Sequence, residues 1–142
     1  MEKVQVGAEA PDFTLPDVDG NPVSLSSFRG KYVLVDFWAA WCPDCRKENP
    51  NIVAAWEKYK DKNFAVLGVS LDRTREQWLA AIEKDKLAWT QVSDLKYWNS
   101  EAAVLYCIRW IPMSFLIDPE GKIVAIGLEG EELHNKLEEL LK

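Results

Sequence analysis

The sequence predicts an α/β protein in which one mixed β-sheet is covered by helices. Two near-continuous apolar runs, 32–38 and 64–69, are rich in β-branched and aromatic residues, as strands buried on both faces are. A segment of helical character follows each of them. Near the end of the chain, a turn at 118–121 joins two further apolar segments, which indicates an antiparallel hairpin. This order of elements favours a mixed sheet with helical layers.

Composition favours a single domain, 1–142, and excludes several classes of function. The 142 residues, 48% of them hydrophobic, are enough to build a proper core. The 17 basic and 23 acidic residues give a net charge of −6, which argues against binding to nucleic acid or to an anionic membrane. No apolar stretch approaches the roughly 18 residues that a membrane span needs. Residues 1–6 contain no apolar run, so they predict no signal peptide.

Residues 1–30 predict a small N-terminal hairpin. An alternating segment at 11–15 and a second segment at 23–25 flank Asp19-Gly20, which is a hairpin turn dipeptide. One helical turn is expected at 26–30, with a serine cap and a glycine stop.

Helix signals follow both buried strands. The first helix is expected to run to about Tyr59 with a kink at Pro50, because proline removes one backbone donor. The second opens at Thr74 to Gln77, which has the pattern of a capping box. The other expected elements are a strand at 89–92, a helix at 100–106, a hairpin of 114–117 with 122–126, and a helix from Glu131 to Lys142.

The motif Cys42-Pro43-Asp44-Cys45 lies between a buried strand and a helix, and that position indicates its chemistry. A thiolate at the start of a helix faces unpaired backbone N–H groups and the positive end of the dipole, which lower its pKa. An offset of three residues brings the second thiol within reach of a disulfide. Cys42 is expected to be the exposed attacking thiol and Cys45 the resolving thiol. Pro43 suits the first helical turn.

Half of a zinc site is the alternative interpretation of this pair. A structural zinc site needs four ligands, and only Cys107 and His134 remain to complete one. The order of strand, motif and helix favours redox chemistry instead. The sequence therefore predicts no metal site and no cofactor, and His134 is expected to be a surface residue.

The segment from Val33 to Arg46 resembles the active-site region of the thioredoxin superfamily, above all in Trp41-Cys42-Pro43-Asp44-Cys45. The segment Ala10 to Leu15, the dipeptide Asp19-Gly20 and a long insert after the second buried strand are similar to the TlpA/ResA-like branch of extracytoplasmic thiol–disulfide oxidoreductases. The resemblance runs from about residue 5 to the end of the chain.

This resemblance implies a thioredoxin-like fold in which 1–30 is a hairpin extension and 71–106 contains a βα insert. It also implies a reversible Cys42–Cys45 disulfide, a disulfide-containing protein substrate and an upstream thiol reductant. A reducing role in the periplasm or cell envelope is usual for the branch, and the cytoplasm stays open. We expect the chain to act as a monomer.

Two acids are expected near the dithiol. Asp36 is the one charge in an apolar strand, so burial should raise its pKa and let it exchange protons with Cys45. Proteins of the superfamily often carry an acid here. An Asp that faces water or pairs with a lysine is the alternative. Glu48 occupies a place where the TlpA/ResA-like branch often has a glutamate, and a solvated helix residue is the alternative.

Four residues are expected to bind the substrate. The superfamily places a cis-proline opposite the dithiol, and Ile111-Pro112 occupies that place. A cis bond would turn the Ile111 backbone towards the cysteines to pair with an extended substrate, whereas a trans proline would only start a strand. Trp41 and Pro43 are expected to belong to an exposed surface that receives the partner. Trp110 either joins that surface or packs inside.

The sequence departs from the family pattern at two residues. Asp44 puts an anion beside Cys42, which disfavours the thiolate and makes the pair more reducing. Cys107 stands where relatives tend to have a glycine at a helix end, and a cysteine there would be strained if φ is positive. Its simplest interpretation is a buried small apolar residue, and the alternative is a third redox thiol near Pro112.

Two other functions are weighed against thiol–disulfide exchange. A thiol peroxidase of the peroxiredoxin type shares the start Pro11-Asp12-Phe13, but its site needs proline and Thr or Ser where this chain has Val35 and Ala39. A copper or haem-delivery chaperone on the same fold generally adds a histidine ligand. The lone His134 lies in the wrong segment to join the two cysteines.

Overall fold

A five-stranded mixed sheet flanked by helices forms the centre of the computed structural model, which describes residues 4–141. The strands are β1 (Thr14–Pro16), β2 (Pro22–Ser24), β3 (Tyr32–Trp38), β4 (Phe64–Ser70), β5 (Thr90–Val92), β6 (Met113–Ile117) and β7 (Ile123–Ile126). The helices are α1 (Pro43–Tyr59), α2 (Arg75–Asp85), α3 (Glu101–Leu105) and α4 (Glu131–Leu140). Within residues 4–141, no helix is long and apolar enough to cross a bilayer.

The central sheet has the strand order β5-β4-β3-β6-β7. Its middle strand, β3, pairs parallel with β4 and antiparallel with β6. The edge strands β5 and β7 pair parallel with β4 and antiparallel with β6, respectively. Every residue from Val33 to Trp38 is buried, which explains the near-continuous apolar run. The predicted mixed sheet is confirmed. The C-terminal end of β3 leads through a short loop into the cysteine motif.

The N-terminal hairpin forms a separate two-stranded sheet. Leu15 of β1 pairs antiparallel with Val23 of β2, as the sequence predicts. A 3-10 turn then spans Leu25–Phe28, one residue earlier than expected. The predicted serine cap is wrong, because the preceding Ser24 makes no side-chain capping bond to the turn. Gly30 ends the turn region with φ 97°, a conformation that suits glycine.

Local signals place the two long helices correctly. α1 begins immediately after Cys42 and runs to Tyr59, and Pro50 lies inside it without ending it. α2 begins after Thr74, whose hydroxyl accepts the Gln77 N–H at 3.3 Å, as the capping pattern predicts. Both helices therefore start from side chains that satisfy otherwise unpaired backbone donors.

The C-terminal part follows the predicted order with small shifts. β6 and β7 form the expected hairpin, and α4 buries Leu133 and Leu137 on its inner stripe. The end of the predicted last helix, Lys142, lies outside the described residues. β5 begins one residue later than predicted, and a 3-10 turn at Tyr97–Asn99 was not expected.

A buried polar contact connects the edge of the sheet to the end of β3. The Trp38 indole N–H donates to Gln91 Oε1 at 3.0 Å, and both side chains are buried. The Gln91 side chain passes so close to Gly68 that a Cβ there would clash with it. Glycine in β4 therefore lets β5 fix the orientation of Trp38, the last residue of β3.

Candidate active site

The cysteine motif lies where β3 passes into α1. Cys42 is the N-cap of α1, and it forms a disulfide with Cys45 across a Cα–Cα distance of 5.2 Å. The Cys45 N–H donates to Cys42 Sγ at 3.1 Å, so a helix-terminal donor points at this sulfur. A thiolate on Cys42 would accept the same N–H, which is the contact that stabilises a thiolate at a helix start.

The two sulfurs differ little in accessibility. Cys42 is 5% exposed and Cys45 is 1% exposed. The expectation of an exposed Cys42 is therefore wrong, because the Ile111 carbonyl oxygen lies only 3.7 Å from Cys42 Sγ and covers it. Cys42 remains the more accessible of the pair, which is the order that attack by Cys42 requires.

The segment opposite the dithiol carries the expected cis bond. The Ile111-Pro112 peptide is cis, so the alternative of a trans proline is wrong. Trp41 and Trp110 are 39% and 63% exposed, and Pro43 is exposed as well. Two of the four predicted substrate-binding side chains, Trp41 and Pro43, are thus exposed, and Trp110 belongs to the surface rather than to the core. Their role in binding stays a prediction.

Trp41 has partners that sequence reasoning missed. Its indole N–H donates to the Leu71 carbonyl oxygen at 3.1 Å. Its ring lies 5.4 Å from the Tyr97 ring and 6.0 Å from the Trp98 ring, measured between centroids. The Arg73 guanidinium stacks 3.9 Å from the Tyr97 centroid. A tyrosine and a tryptophan side by side in a short loop were the available signal for this aromatic cluster.

Asp36 is buried within β3, the strand that leads to the cysteine motif. It is 3% exposed, which makes the alternative of a solvated Asp wrong. Burial raises the pKa of Asp36 to about 7, and the negative charge of Glu48 adds to the rise. Among the described residues no cation opposes this rise, so pairing with a lysine is wrong too. A narrow pocket brings Asp36 together with Glu48, Pro112 and Glu129.

Glu48 is tied to the start of α4. Its Oε2 accepts the Gly130 N–H at 3.0 Å and the Asn51 side-chain N–H at 2.8 Å. Asn51 also donates to the Gly130 carbonyl oxygen and contacts His134 Nε2 at 3.0 Å. The solvated alternative for Glu48 is therefore wrong. His134 is half-buried and hydrogen-bonded rather than a surface residue.

Glu129 adds a fourth acid that the sequence did not single out. Burial raises the pKa of Glu129, and the negative charges of Glu48 and Asp44 raise it further. Together with Asp36, these side chains make the α4 side of the dithiol strongly acidic. A run of acids around Gly130 was the available signal in the sequence.

Comparison with known proteins assigns the family. Residues 6–126 match the family model of the AhpC/TSA family. The chain belongs to this family. Over 141 residues it is 33% identical to the thiol-disulfide oxidoreductase ResA of Bacillus thuringiensis subsp. konkukian, covering 99% of this chain and 79% of that protein.

Solved structures agree on both the fold and the activity. The thioredoxin domain of a thiol-disulfide oxidoreductase from Bacteroides vulgatus is 47% identical with a TM-score of 0.91, and the match covers 97% of this chain and 99% of that one. A thiol-disulfide oxidoreductase from Bacteroides fragilis is 45% identical with a TM-score of 0.88, covering 94% and 99%. The predicted thioredoxin-like fold and TlpA/ResA-like membership are confirmed. This chain is a thiol–disulfide oxidoreductase.

A second buried acid of this oxidoreductase follows the end of β4, and the sequence did not single it out. Asp72 is completely buried just beyond β4, and its carboxylate accepts the Ala40 N–H at 2.9 and 3.2 Å. The Ser70 hydroxyl donates to the same carboxylate at 2.6 Å. Because β3 and β4 are parallel, their C-terminal ends share one edge of the sheet, and polar residues directly after β4 were the signal for this contact.

Cys107 differs from its expectation. It is exposed, so the prediction of a buried apolar residue is wrong. It follows the end of α3 with φ 57°, the conformation in which glycine is favoured. The Cys107 N–H donates to the Val104 carbonyl oxygen, and the Ile108 N–H donates to the Ala103 carbonyl oxygen. This helix end keeps a glycine-type geometry with cysteine in the glycine place, which directs the side chain away from the core.

Proposed function

We propose that the oxidoreductase reduces disulfides in other proteins and is itself reduced by an upstream thiol reductant. The acidity of the α4 side of the dithiol carries this proposal. Burial and the negative charge of the neighbouring Glu48 raise the pKa of Asp36. Burial and the negative charges of Glu48 and Asp44 raise the pKa of Glu129. Negative charge near the sulfurs disfavours thiolates, so the dithiol is stabilised less against its disulfide and becomes the stronger reductant.

The reaction moves two electrons from the enzyme dithiol to the substrate disulfide. The Cys42 thiolate attacks one substrate sulfur, the substrate S–S bond breaks, and the first leaving thiolate takes up a proton. Cys45 then attacks the Cys42 sulfur of the mixed disulfide and releases the second substrate thiol. The Cys42–Cys45 disulfide closes, and two electrons from the upstream thiol restore the dithiol.

Asp36 is proposed to accept the proton that Cys45 loses before this second attack. Cys45 is 1% exposed, so its thiol has little direct access to bulk water. A carboxylate with a pKa of about 7 takes up and releases a proton close to neutral pH, which is the property of an efficient general base. Glu48 is proposed to tune this group, since its charge helps to raise the pKa of Asp36.

The substrate is proposed to dock as an extended segment beside Ile111-Pro112. The Ile111 carbonyl oxygen faces Cys42 Sγ at 3.7 Å, where it can accept a backbone N–H of the segment. The exposed side chains of Trp41 and Pro43 flank Cys42 in the chain and offer apolar contact to the substrate.

Titration of the Cys42–Cys45 couple against glutathione buffers tests the direction of the reaction. We expect a potential nearer to the about −270 mV of thioredoxin than to the about −120 mV of DsbA. A value above about −150 mV would overturn the reducing role and leave an oxidase or isomerase.

Two cysteine variants test the order of attack. Cys42→Ser should abolish the reduction of insulin disulfides, whereas Cys45→Ser should accumulate a mixed disulfide visible on a non-reducing gel. Cys107→Ser is the control, because this exposed cysteine lies outside the disulfide and the variant should retain activity. Substantial activity in Cys42→Ser would show that another group attacks.

A further inference from the structure

The backbone of Ala40 is held from two sides. Its N–H donates to both carboxylate oxygens of Asp72, at 2.9 and 3.2 Å. Its carbonyl oxygen accepts Arg46 Nη1–H at 3.0 Å. Ala40 lies in the loop between β3 and α1, two residues before Cys42. Both polar groups of one loop residue are therefore bound to side chains, immediately before the reactive cysteine.

Asp72 is itself fixed in place. The Ser70 hydroxyl donates to its Oδ2 at 2.6 Å, and the Asp72 N–H donates back to Ser70 Oγ at 3.0 Å. Because Asp72 is completely buried, rotation of its carboxylate would leave these donors without a partner.

Arg46 is fixed from the other direction. Its Nε donates to Asp85 Oδ2 at 2.6 Å and its Nη2 donates to Asp85 Oδ1 at 3.0 Å, a two-point contact with the end of α2. The Asn49 amide also donates to Asp85, at 2.8 Å. The third guanidinium nitrogen, Nη1, donates to the Ala40 carbonyl oxygen. Only a guanidinium can make these three contacts at once.

We propose that Asp72 and Arg46, here called the Ala40 clamp, are positioning residues for thiol–disulfide exchange. Neither residue contacts a sulfur. By fixing the Ala40 backbone, they fix the path of the chain into α1 and so the direction in which Cys42 Sγ points. The inference needs only exchange at Cys42, so it does not depend on whether the enzyme reduces or oxidises its substrates.

The position of the clamp determines which kinetic constant it affects. The Cys42 N–H donates to the Ala39 carbonyl oxygen at 3.2 Å, so a shift of the loop moves Cys42 with it. Attack on a disulfide needs a defined direction of approach, and misplacement by about 1 Å costs up to about a hundredfold in rate. The proposed docking groups Ile111 and Pro112 belong to another segment and stay in place. Trp41 precedes Cys42 in the loop, but its side chain has an anchor of its own, the indole N–H bond to the Leu71 carbonyl oxygen. Loss of the clamp therefore lowers kcat much more than it changes KM.

The test is the rate of exchange between the reduced enzyme and a disulfide-containing model peptide, followed by stopped flow in a Cys107→Ser background. Asp72→Ala should lower the limiting rate at least about tenfold and leave the half-saturating peptide concentration within about twofold. Asp72→Asn should recover most of the rate, because its amide oxygen still accepts the Ala40 N–H. Arg46→Met, which keeps the aliphatic stem, should lower the limiting rate in the same way.

Ser93→Ala is the matched structural control. It removes a buried hydroxyl that bonds Ser70 and the Leu95 N–H, without contact to the loop or to Arg46. It should lower the melting temperature and leave the limiting rate unchanged.

Three results would overturn the proposal. The first is a wild-type limiting rate for folded Asp72→Ala, which would make Asp72 purely structural. The second is an Asp72→Asn variant as slow as Asp72→Ala, which would assign the effect to charge. The third is a wild-type limiting rate for Arg46→Met. This variant decides if Asp72→Ala does not fold, since Arg46 is partly exposed and its replacement is better tolerated.

Discussion

Two buried aspartates lie in or just after the parallel strands β3 and β4, and their surroundings differ. Asp36 lines a narrow pocket together with Glu48 of α1 and Glu129 of the segment before α4. Burial and the charge of Glu48 raise the pKa of Asp36 to about 7. Asp72 lies at the end of β4, where burial also raises its pKa. There, however, the Ser70 hydroxyl, the Ala40 N–H and the charge of Arg46 oppose the rise.

Two buried carboxylates therefore differ in chemistry because their neighbours differ. A carboxylate that receives hydrogen bonds is stabilised as an anion and acts as a fixed acceptor. A carboxylate that receives a neighbouring negative charge instead is destabilised as an anion and becomes able to exchange a proton near neutral pH. The hydrogen-bonded aspartate holds the Ala40 backbone, and the one whose ionisation is opposed by burial and by Glu48 is the proposed proton acceptor.

The largest expected effect is a pH-dependent rise in the free energy of unfolding when Asp36 is replaced. The ordinary pKa of Asp36 is 3.8 and its folded value is about 7, so between these values the folded state keeps a proton that the unfolded state has lost. Stability from this proton is complete below pH 4 and is lost as the pH rises through 7. Asp36→Asn has no such loss of stability. At pH 8 its free energy of unfolding should therefore be about 4 kcal/mol higher than that of the wild type, and at pH 4 the two values should be about equal.

Urea denaturation of the oxidised protein at pH 4, 6 and 8 measures this difference. Asp61→Asn, in an exposed turn, is the control, since it removes the same charge without removing a buried one. A constant difference between Asp36→Asn and the wild type across this range would show that Asp36 is already ionised throughout.

The second prediction has the opposite sign. Asp72→Ala should lower the free energy of unfolding at pH 8 by about 2 kcal/mol, because the Ala40 N–H and the Ser70 hydroxyl lose their buried acceptor. Denaturation under the same conditions as for Asp36→Asn provides the comparison. If both variants stabilise the protein, hydrogen bonds do not distinguish the two aspartates.

How far the sequence predicts this molecule depends on how local each signal is. The run 32–38 coincides with β3, because strands buried on both faces are mostly apolar. The run 64–69 ends one residue before β4 does, since β4 ends in the buried polar residue Ser70. The turn at Tyr97–Asn99 was missed because Leu95 and Tyr97 adopt positive φ without glycine or asparagine to indicate it.

The same reasoning explains which parts of the site were foreseen. Cys42 and Asp36 lie on one strand and the turn after it, so a single segment of sequence places them together. Asp72 meets Ala40 across 32 residues of chain, and this pairing exists only once β3 and β4 are side by side. Glu48 was found as a residue, but its contact with Gly130 across 82 residues depends on how α4 packs on α1.

The third prediction concerns Ser70→Ala, in which Asp72 loses a hydrogen bond that stabilises its anion. Ser70→Ala removes a donor that lowers the pKa of Asp72, so this pKa rises further and more of the stability is lost as the pH rises. At pH 8 the variant should lose about 1 kcal/mol relative to the wild type, and less at pH 5. Denaturation curves at the two pH values decide, with Ser93→Ala as the buried-serine control. An equal loss at both values would show that the hydroxyl does not affect the titration of Asp72.

The smallest effect concerns the charge that helps to keep Asp36 protonated. Glu48→Gln removes that charge, while the amide oxygen still accepts the Gly130 N–H. The pKa of Asp36 should fall, so the pH at which stability is lost should move to a lower value. Glu48 is half-exposed, so solvent screens its charge and the coupling should stay below about 1 kcal/mol. A double-mutant cycle with Asp36→Asn isolates this coupling, because in that background the change at Glu48 has no aspartate to act on. If Glu48→Gln leaves the pH of stability loss unchanged, burial alone raises the pKa of Asp36. The charge of Glu48 would then not tune the proposed proton acceptor.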